Sequence, residues 1–403
     1  MRPYPLAFSE QANVRGANVT PELKSPIDEG NHPLTTTILV MAGGTGGHIF
    51  PALAVADRLK AEGWRVVWLG TRNGMEASVV PKHGYPMEFI EFSGLRGKGI
   101  LRALFLPLNL LRAFWQAARI IRRLKPNVVL GVGGYVTFPG GMMASLFNRP
   151  LTIHEQNSVA GLSNRALAVV ADRVLTGFPR AFEATTTNPI TKMLKVGTAV
   201  EWTGNPVRQE IANLPEPSQR YRGRDGMISV LVVGGSLGAQ ALNDAVPKAL
   251  GLLQPDVRPR VIHQAGQKHI EALRASYAAA AVEADIRPFI DDMASAYKNS
   301  DVLICRAGAL TVAEICAAGI ASILVPFPQA VDDHQTGNAR FLSDNGAAIL
   351  IPQAELSPQR LADLIRDFTR DQLEKMAVKA RALAKPDATE QVARVCMELA
   401  HAA

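Results

Sequence analysis

Cysteine is scarce in this 403-residue chain, which carries only Cys305, Cys316 and Cys396. An odd set without paired spacing supplies neither a disulfide framework nor a zinc site, and it favours a reducing compartment. Residues 1–35 lack the basic start and apolar core of a signal peptide and are rich in turn-forming residues, so we expect a disordered tail. The long uncharged run at 126–148 is broken by several glycines and a proline, which predicts strand, loop and helix instead of a membrane span.

Three signatures of nucleotide sites are also missing. No Walker sequence G-x-x-x-x-G-K-[ST] occurs. The dinucleotide pattern G-x-G-x-x-G is incomplete, because Gly44 and Gly46 are followed by Ile49 where the third glycine is required. No Asp-x-Asp is present, which argues against a metal-clamped sugar-nucleotide site. We therefore expect no metal and no redox cofactor.

Short apolar runs alternate with helical patterns from Thr35 onward, as in "TTTILVMAGG", "RVVWLG" and "NVVLGVGG". Such alternation is typical of βαβ units and a parallel sheet. The pattern restarts at "SVLVVGGSLGAQALNDAVPKAL", about half a chain later. The sequence therefore predicts an α/β fold with two doubly wound, Rossmann-like parallel-sheet domains separated by a cleft.

Three glycine-containing turns stand between a strand and a helix, at 43–47, 234–238 and 307–311. Such a turn lets backbone N–H groups approach a ligand, and the positive helix N-terminus favours phosphate. Tight strand–helix packing alone is the alternative for any one turn. Three of them in one chain favour a phosphate-containing ligand without naming it.

Nine motifs in chain order resemble those of the MurG family: "MAGGTGGHIFPALAVADRL", "SGLRGKG", "GVGGYVTFPG", "HEQN", "GNPVR", "VVGGSLGAQ", "FIDDM", "CRAGALTVAEICAAG" and "DDHQTGNA". The resemblance covers the chain from Met41 to its C-terminal helix. It implies the GT-B architecture, with an acceptor and membrane-associating domain at 36–207, a donor-binding domain at 208–386, and a helix at 387–403 that returns to the N-terminal domain.

The implied reaction is that of an inverting, metal-independent glycosyltransferase of peptidoglycan synthesis. UDP-N-acetylglucosamine (UDP-GlcNAc) would donate its sugar to the C4 hydroxyl of N-acetylmuramic acid (MurNAc) in lipid I, undecaprenyl-pyrophosphoryl-MurNAc-pentapeptide. The products would be lipid II, with a β-1,4 bond, and UDP.

Site roles follow from the resemblance by motif position. The expected acceptor residues are Gly43, Gly44 and Tyr135. The residues expected at the donor sugar and its loop are Thr45, Gly46, Gly47, Asn157 and Gln335. Those expected at the nucleotide are Arg208, Ser236 and Ile290. The helix N-terminus expected at the diphosphate comprises Ala309, Leu310, Thr311, Val312, Ala313 and Glu314. Glu314 would reach the ribose, although an acid in the first turns of a helix is favourable without any ligand.

His48 and Glu155 are the two candidate catalytic residues. His48 stands at the start of the helix after the first glycine turn, where the positive helix end favours the neutral imidazole. A neutral imidazole can take the proton of the attacking hydroxyl. The alternative roles of His48 are donation to the acceptor phosphate or anchoring of its loop, and Glu155 is the second candidate base.

Residues 96–125 contain eight basic residues and no acid, around an apolar centre. Apolar insertion combined with attraction for anionic lipid is typical of peripheral membrane binding. We expect this surface on the cytoplasmic face of the inner membrane, and no nucleic-acid partner. Its expected residues are Leu104, Phe105, Leu108, Phe114 and Trp115, with Arg102 and Arg112. The alternative is a core-packed helix with a solvated basic face.

Three rival functions stay open at this point. A GT-B transferase acting on diacylglycerol or a small hydrophobic acceptor would share the fold. A UDP-GlcNAc 2-epimerase would share it too, but would consume the donor without a lipid. A nucleotide-binding membrane adaptor would not turn over at all.

Overall fold

The computed structural model describes residues 36–92, 106–183, 199–235, 238–330 and 333–402. Two sheets form within these ranges, and every strand pair in both is parallel. The α/β fold class that the alternating pattern predicts is confirmed.

The first sheet is built from the N-terminal half of the described chain. Its strands are β1 Thr37–Ala42, β2 Arg65–Gly70, β3 Met87–Phe89, β4 Val128–Gly133, β5 Leu151–Glu155, β6 Arg173–Thr176 and β7 Val200–Trp202. Their order is β3-β2-β1-β4-β5-β6-β7, which is the doubly wound order with one further strand. β1 and β4 are buried at every position, as expected for parallel strands covered on both faces.

Helices on both faces cover this sheet. They are α1 Gly46–Ala61, α2 Glu76–Val79 continued by a 3-10 turn at Val80–His83, α3 Leu106–Leu124, α4 Thr137–Leu146 and α5 Leu162–Leu167. α3 buries Ala113, Ala117, Ile120 and Ile121 on the sheet. Their spacing of four, three and one residues makes a single stripe, as expected of an amphipathic helix.

The second sheet repeats the same winding in the C-terminal half. Its strands are β8 Ser229–Val233, β9 Arg260–Gln264, β10 Asp285–Arg287, β11 Val302–Cys305, β12 Ala321–Leu324 and β13 Ala348–Leu350, in the order β10-β9-β8-β11-β12-β13. The helices of this half are α6 Gln209–Ala212, α7 Pro217–Tyr221, α8 Gln240–Gly251, α9 Ile270–Ala279, α10 Met293–Asn299, α11 Ala309–Ala318, α12 His334–Ser343, α13 Pro358–Asp367 and α14 Arg370–Ala382. Short 3-10 turns lie at Pro255–Val257 and Gln353–Glu355.

The last helix, α15 Ala388–Ala402, packs on the first sheet and not on the second. Val392, Val395 and Cys396 are buried in the same core as Ile38 of β1. The chain therefore crosses between the two halves twice, once before α6 and once before α15.

The two crossings lie against each other. Gly204, in the first, has a φ of +85°, and a Cβ at this position would lie 2.3 Å from the Cβ of Lys385 in the second. The ammonium of Lys385 stands 4.1 Å from the centroid of the Trp202 ring. Only glycine allows this approach, because it has no Cβ and tolerates positive φ.

Substitution of Val392 by alanine tests how much α15 contributes to the N-terminal core. The Val392 side chain is 1% exposed. We expect Val392→Ala to lower the free energy of unfolding by about 1–3 kcal/mol, from lost burial and the cavity left behind. Urea unfolding followed by tryptophan fluorescence measures the change. The matched control is Val378→Ala at a position 46% exposed, which should change stability by less than about 0.5 kcal/mol. Equal effects of the two variants would contradict the packing described.

Candidate active site

The cleft-facing loops lie where the winding of each sheet reverses. In the first sheet this point lies between β1 and β4, and in the second between β8 and β11. Ligands of doubly wound sheets bind outside the carboxyl ends of the strands at such points. All three glycine-containing turns predicted from the sequence follow one of these four strands.

The turns after β1 and β4 approach each other at backbone distance. The Gly43 N–H donates to the Gly133 carbonyl oxygen at 3.1 Å. A Cβ on Gly134 would lie 2.4 Å from the Gly43 carbonyl oxygen. The glycine at 134 is therefore required by packing, whatever ligand the turns hold.

Glu76, on α2, holds the first turn from behind and was not singled out in the sequence. Its carboxylate is 1% exposed. One oxygen accepts from the Gly44 N–H at 3.0 Å, and the other accepts from the N–H and hydroxyl of Thr71 at 2.9 and 2.8 Å. A Cβ on Gly43 would lie 2.8 Å from the Glu76 carboxylate. The sequence around Glu76 shows only an acid in the first turn of a short helix, which is common on exposed helices. It therefore does not predict that the Glu76 carboxylate is buried.

Thr45 is the N-cap of α1 and follows the turn that Glu76 supports. Thr45 is exposed and its side chain makes no capping hydrogen bond to the helix. The first N–H groups of a helix have no partner within the helix, so those of Gly46 and Gly47 are available to an anion.

His48 lies half-buried in the first turn of α1, beside the turn after β4. Its Nδ1 is 2.7 Å from Oε1 of Gln156, which follows β5. A Cβ on Gly133 would lie 2.6 Å from this same Nδ1, so glycine at 133 makes room for the ring. Contact with Gln156 orients the ring and leaves Nε2 for another partner.

Glu155, the second candidate base, ends β5 and is buried. It is 2% exposed and its carboxylate stabilises its own loop. One oxygen accepts from the backbone and side-chain N–H groups of Asn157, at 2.9 and 3.3 Å. The other accepts from the Gly161 N–H at 3.0 Å and from Nδ2 of Asn164 at 2.8 Å. Since its oxygens are buried among these donors, Glu155 acts as a loop-positioning residue in this structure.

Asn157 lies where the two halves of the chain meet. Its side-chain oxygen accepts from Nδ2 of Asn338, on α12, at 3.3 Å. Oδ1 of Asn338 in turn accepts from the Ser158 N–H at 2.8 Å. A Cβ on Gly337 would lie 2.4 Å from the Ser158 hydroxyl, so the helix approaches this loop closely.

Gln335 positions the loop that precedes α11. Its Oε1 accepts from the Phe327 N–H at 2.9 Å and from the Ala307 N–H at 3.3 Å. The stretch from Ala309 to Glu314 begins α11, whose N-cap is Gly308. The Ile290 side chain is buried in the second domain's core, which leaves its backbone as the group that can meet a ligand. Ser236 lies outside the described residues.

Glu314 and Arg208 form an ion pair with each other. Nη2 of Arg208 is 2.9 Å from Oε1 of Glu314, and Nε is 3.2 Å from it. The hydroxyl of the buried Tyr297, on α10, donates to the other Glu314 oxygen at 3.0 Å. Burial, followed by the nearby Glu314 charge, raises the pKa of Tyr297 well above its usual range, so it stays a donor. Tyr297 was not singled out in the sequence, because only the fold brings it to Glu314.

Two family models match the chain. The glycosyltransferase family 28 N-terminal domain matches residues 38–176, and the glycosyltransferase family 28 C-terminal domain matches residues 229–392. The relative from Dechloromonas aromatica is called UDP-N-acetylglucosamine--N-acetylmuramyl-(pentapeptide) pyrophosphoryl-undecaprenol N-acetylglucosamine transferase. It is 61% identical over 91% of this chain and 100% of its own length. A relative of the same name from Cupriavidus metallidurans is 61% identical over 90% of this chain and 98% of its own.

The chain belongs to the MurG family of glycosyltransferase family 28. The crystal structure of Acinetobacter baumannii MurG is 41% identical, covers 90% of this chain and 99% of its own, and superposes with a TM-score of 0.78. The resemblance and the GT-B architecture expected from the sequence are thereby confirmed. A UDP-N-acetylglucosamine 2-epimerase superposes with a TM-score of 0.58 at 13% identity, a likeness of fold alone.

The surface of α3 differs in part from the expected membrane face of this MurG-family chain. Leu108 and Trp115 are each 63% exposed. Phe114 is half-buried and its ring packs edge-on against Phe138 at 5.8 Å, so it belongs to the packed side of the helix. Arg112 pairs with Glu91 at 2.7 Å, which neutralises one charge of the basic segment.

The remaining residues of the expected surfaces divide between described and undescribed parts of the chain. Tyr135, in the turn after β4, is 48% exposed and open to an acceptor. Arg102, Leu104 and Phe105 lie outside the described residues. In the described ranges, no helix is long and apolar enough to cross a membrane. No group of three or more His, Cys, Asp or Glu side chains is placed there to hold a metal ion.

Replacement of Glu155 by glutamine separates loop support from base catalysis. An amide would turn an N–H₂ group toward one of the N–H donors that the carboxylate now accepts. We expect Glu155→Gln to lower the free energy of unfolding by about 2–4 kcal/mol and to weaken donor binding through Asn157. Thermal unfolding and calorimetric titration with UDP-GlcNAc measure both.

The control for this variant is Glu398→Gln, at an exposed position on α15, which should be neutral. If Glu155→Gln kept wild-type stability and donor affinity but lost turnover, Glu155 would be the base and the positioning role would be wrong.

Proposed function

We propose that this chain transfers GlcNAc from UDP-GlcNAc to the C4 hydroxyl of MurNAc in lipid I, producing lipid II and UDP. The names of its close relatives state this donor and this acceptor class. The observation that carries the proposal is that His48 and the N-terminus of α1 lie beyond the carboxyl end of β1 at one winding reversal, while the N-terminus of α11 lies beyond β11 at the other. One half thus offers a base beside an anion site, and the other half offers a second anion site.

In the proposed step, Nε2 of His48 takes the proton of the attacking C4 hydroxyl. The oxygen forms its bond to the anomeric carbon from the face opposite the nucleotide, and the bond from that carbon to the UDP oxygen breaks. Inversion then converts the α-linked donor into a β-1,4-linked product. General-base assistance of this kind contributes about 10²–10⁴-fold to the rate.

The departing UDP carries negative charge that the protein has to stabilise. The N–H groups at the start of α11, from Ala309 to Thr311, supply the positive end of a helix. Arg208 is charged and its side chain is 46% exposed, so its guanidinium can direct an N–H group toward the diphosphate while Glu314 orients the guanidinium. Glu314 shares its other oxygen between Tyr297 and the ribose in this proposal.

The sugar and the base of the donor meet residues from both halves. Asn157 and Gln335 contact the GlcNAc hydroxyls, and the backbone of Ile290 receives the uracil edge. Asn157 lies on the loop after β5 and Gln335 on α12, and Asn338 of the same helix donates to the Asn157 side-chain oxygen and to the Ala307 carbonyl oxygen. Gly43, Gly44 and Tyr135 line the acceptor side.

The lipid-linked acceptor requires access to a membrane, and α3 supplies a surface that suits it. Leu108, Leu111 and Trp115 are exposed, with Arg119 placed 5.9 Å from the Trp115 ring centroid. Their spacing of three, four and four residues puts them on one stripe of the helix. We place this stripe on the cytoplasmic leaflet, where anionic headgroups attract basic residues by about 1 kcal/mol each.

The reaction is tested with labelled UDP-GlcNAc, with and without a lipid I analogue. Label should move onto the lipid, and UDP should be released only when the lipid is present. Donor consumed without lipid would point to an epimerase, and absence of turnover would point to a binding protein.

His48→Ala should lower turnover about 10²–10⁴-fold with donor affinity unchanged in calorimetry. A large loss of donor affinity in His48→Ala would contradict its role as base.

Sedimentation with vesicles tests the membrane surface. The full chain should sediment with anionic vesicles at low salt and less at high salt, because screening weakens the attraction. Leu111→Ser should weaken this binding about 3- to 10-fold, since the exposed leucine loses its apolar insertion. Leu252→Ser, at a position 55% exposed beyond α8, is the matched control and should bind as wild type. Failure to sediment at low salt, or an equal loss in both variants, would rule out the surface.

A further inference from the structure

We propose that Gln156 and His154 form a hydrogen-bonded relay that holds His48 with its proton on Nδ1, so that the lone pair of Nε2 faces the cleft. Both are positioning residues, since neither reaches the cleft as His48 does. The inference rests on the proposed function, in which His48 is the base. It adds the reason why this imidazole presents the correct nitrogen to the attacking hydroxyl.

The orientation of the Gln156 amide follows from a backbone carbonyl. Nε2 of Gln156 lies 2.8 Å from the carbonyl oxygen of His154, and a carbonyl can only accept a hydrogen bond. The atom facing that carbonyl is therefore the amide nitrogen. The amide oxygen is left facing Nδ1 of His48 at 2.7 Å, and it can only accept. His48 must carry its proton on Nδ1.

The protonation of His154 follows from a second backbone carbonyl. Its Nε2 lies 2.9 Å from the carbonyl oxygen of Gly204, so this nitrogen carries the proton. Burial lowers the pKa of His154 to about 4, which keeps the ring neutral near pH 7. Its Nδ1 is then an acceptor, and Nε2 of Gln156 donates to it at 2.9 Å. Every donor in the relay meets an acceptor, and the opposite tautomer of either neutral ring would set a nitrogen lone pair against an oxygen acceptor.

The relay is buried and anchored at both ends. His154 is 2% exposed and Gln156 is 1% exposed. Nδ2 of Asn205 donates to the Gln156 carbonyl oxygen at 2.9 Å, which ties its backbone to the crossing between the two halves. A buried polar network with all partners satisfied is rigid, because any broken bond leaves an unpaired group away from water.

The chemical need for the relay lies in the two tautomers of histidine. A neutral imidazole free in water favours the proton on Nε2, the nitrogen that must accept in the proposed step. The tautomer of a histidine in a protein is set by the partner of its other nitrogen. An acceptor opposite Nδ1 thus selects the form in which Nε2 is the base.

The test uses the full chain with ¹⁵N-labelled histidine, and the His48 signals are assigned by their loss in His48→Ala. In the wild type we expect the Nδ1 shift of His48 to be that of a protonated nitrogen and its Nε2 shift that of an unprotonated one. The opposite pattern would overturn the relay. This measurement does not depend on whether any Gln156 variant folds.

The variant Gln156→Met keeps the length of the side chain and removes both amide contacts. We expect the His48 shifts to move toward the Nε2-protonated form and kcat to fall about 10- to 100-fold, less than complete removal of the base costs. The KM for UDP-GlcNAc should change by less than about 3-fold, because the lost group acts on the proton transfer and not on donor binding. A merely structural role of Gln156 would leave the tautomer unchanged.

The matched control is Asn243→Leu, which breaks a similar buried pair in the second sheet domain. Oδ1 of Asn243 lies 3.1 Å from Nε2 of His263, and its Nδ2 donates to the Ala265 carbonyl oxygen. This variant should lower stability but leave the His48 shifts as in the wild type. Unchanged His48 shifts and kcat in Gln156→Met would overturn the relay. If His48→Ala kept its turnover, the proposed base would be wrong, while the shifts would still decide the relay separately.

Discussion

The site depends on the contact between two backbone turns, those that follow β1 and β4. The Gly43 N–H bonds to the Gly133 carbonyl oxygen, and a side chain at Gly134 would overlap the Gly43 carbonyl. Since both strands lie side by side in the sheet, their turns must share one small volume. Glycine is the residue that permits this approach. The same lack of a side chain at Gly133 opens the space in which the His48 ring lies. Several glycines of these motifs are therefore needed for the close approach of the two turns, and the proposed ligand site lies at these turns.

Buried carboxylates hold the first turn and the loop after β5 in position. Glu76 holds the first turn from behind through the Gly44 N–H, and Glu155 holds the loop after β5 through Asn157. Each buried carboxylate is surrounded by N–H or hydroxyl donors, which offset the cost of removing its charge from water. Such residues do not have to touch a substrate to decide activity, because they set where the N–H groups and His48 stand.

Hydrogen bonds and ring contacts join the two halves of the chain. Asn338 bonds to both Asn157 and Ser158, and Phe341 packs edge-on against Phe178 at 5.2 Å. The helix that carries the proposed donor residue Gln335 is thus held against the loop that carries the proposed donor residue Asn157. The ion pair between Arg208 and Glu314 adds a charged group at the same boundary, on the crossing between the halves. When a partly exposed ion pair exchanges one partner for a phosphate, the released side chain stays in contact with water. No unpaired charge is then buried.

The sequence by itself determined the order of strands and helices, the three turns at the ends of the correct strands, and the family. The elements and turns follow from local periodicity and glycine spacing, which depend on neighbours along the chain, and the family follows from the resemblance of the nine motifs. Only the tertiary structure decided that Gln156 meets His48 across 108 positions, that Glu76 supports Gly44, and that Phe114 belongs to the packed side of α3. It also showed that the Glu155 carboxylate is buried among N–H donors of its own loop. Contacts between residues far apart in the chain follow from how sheets and helices pack, and one sequence carries no local signal for them.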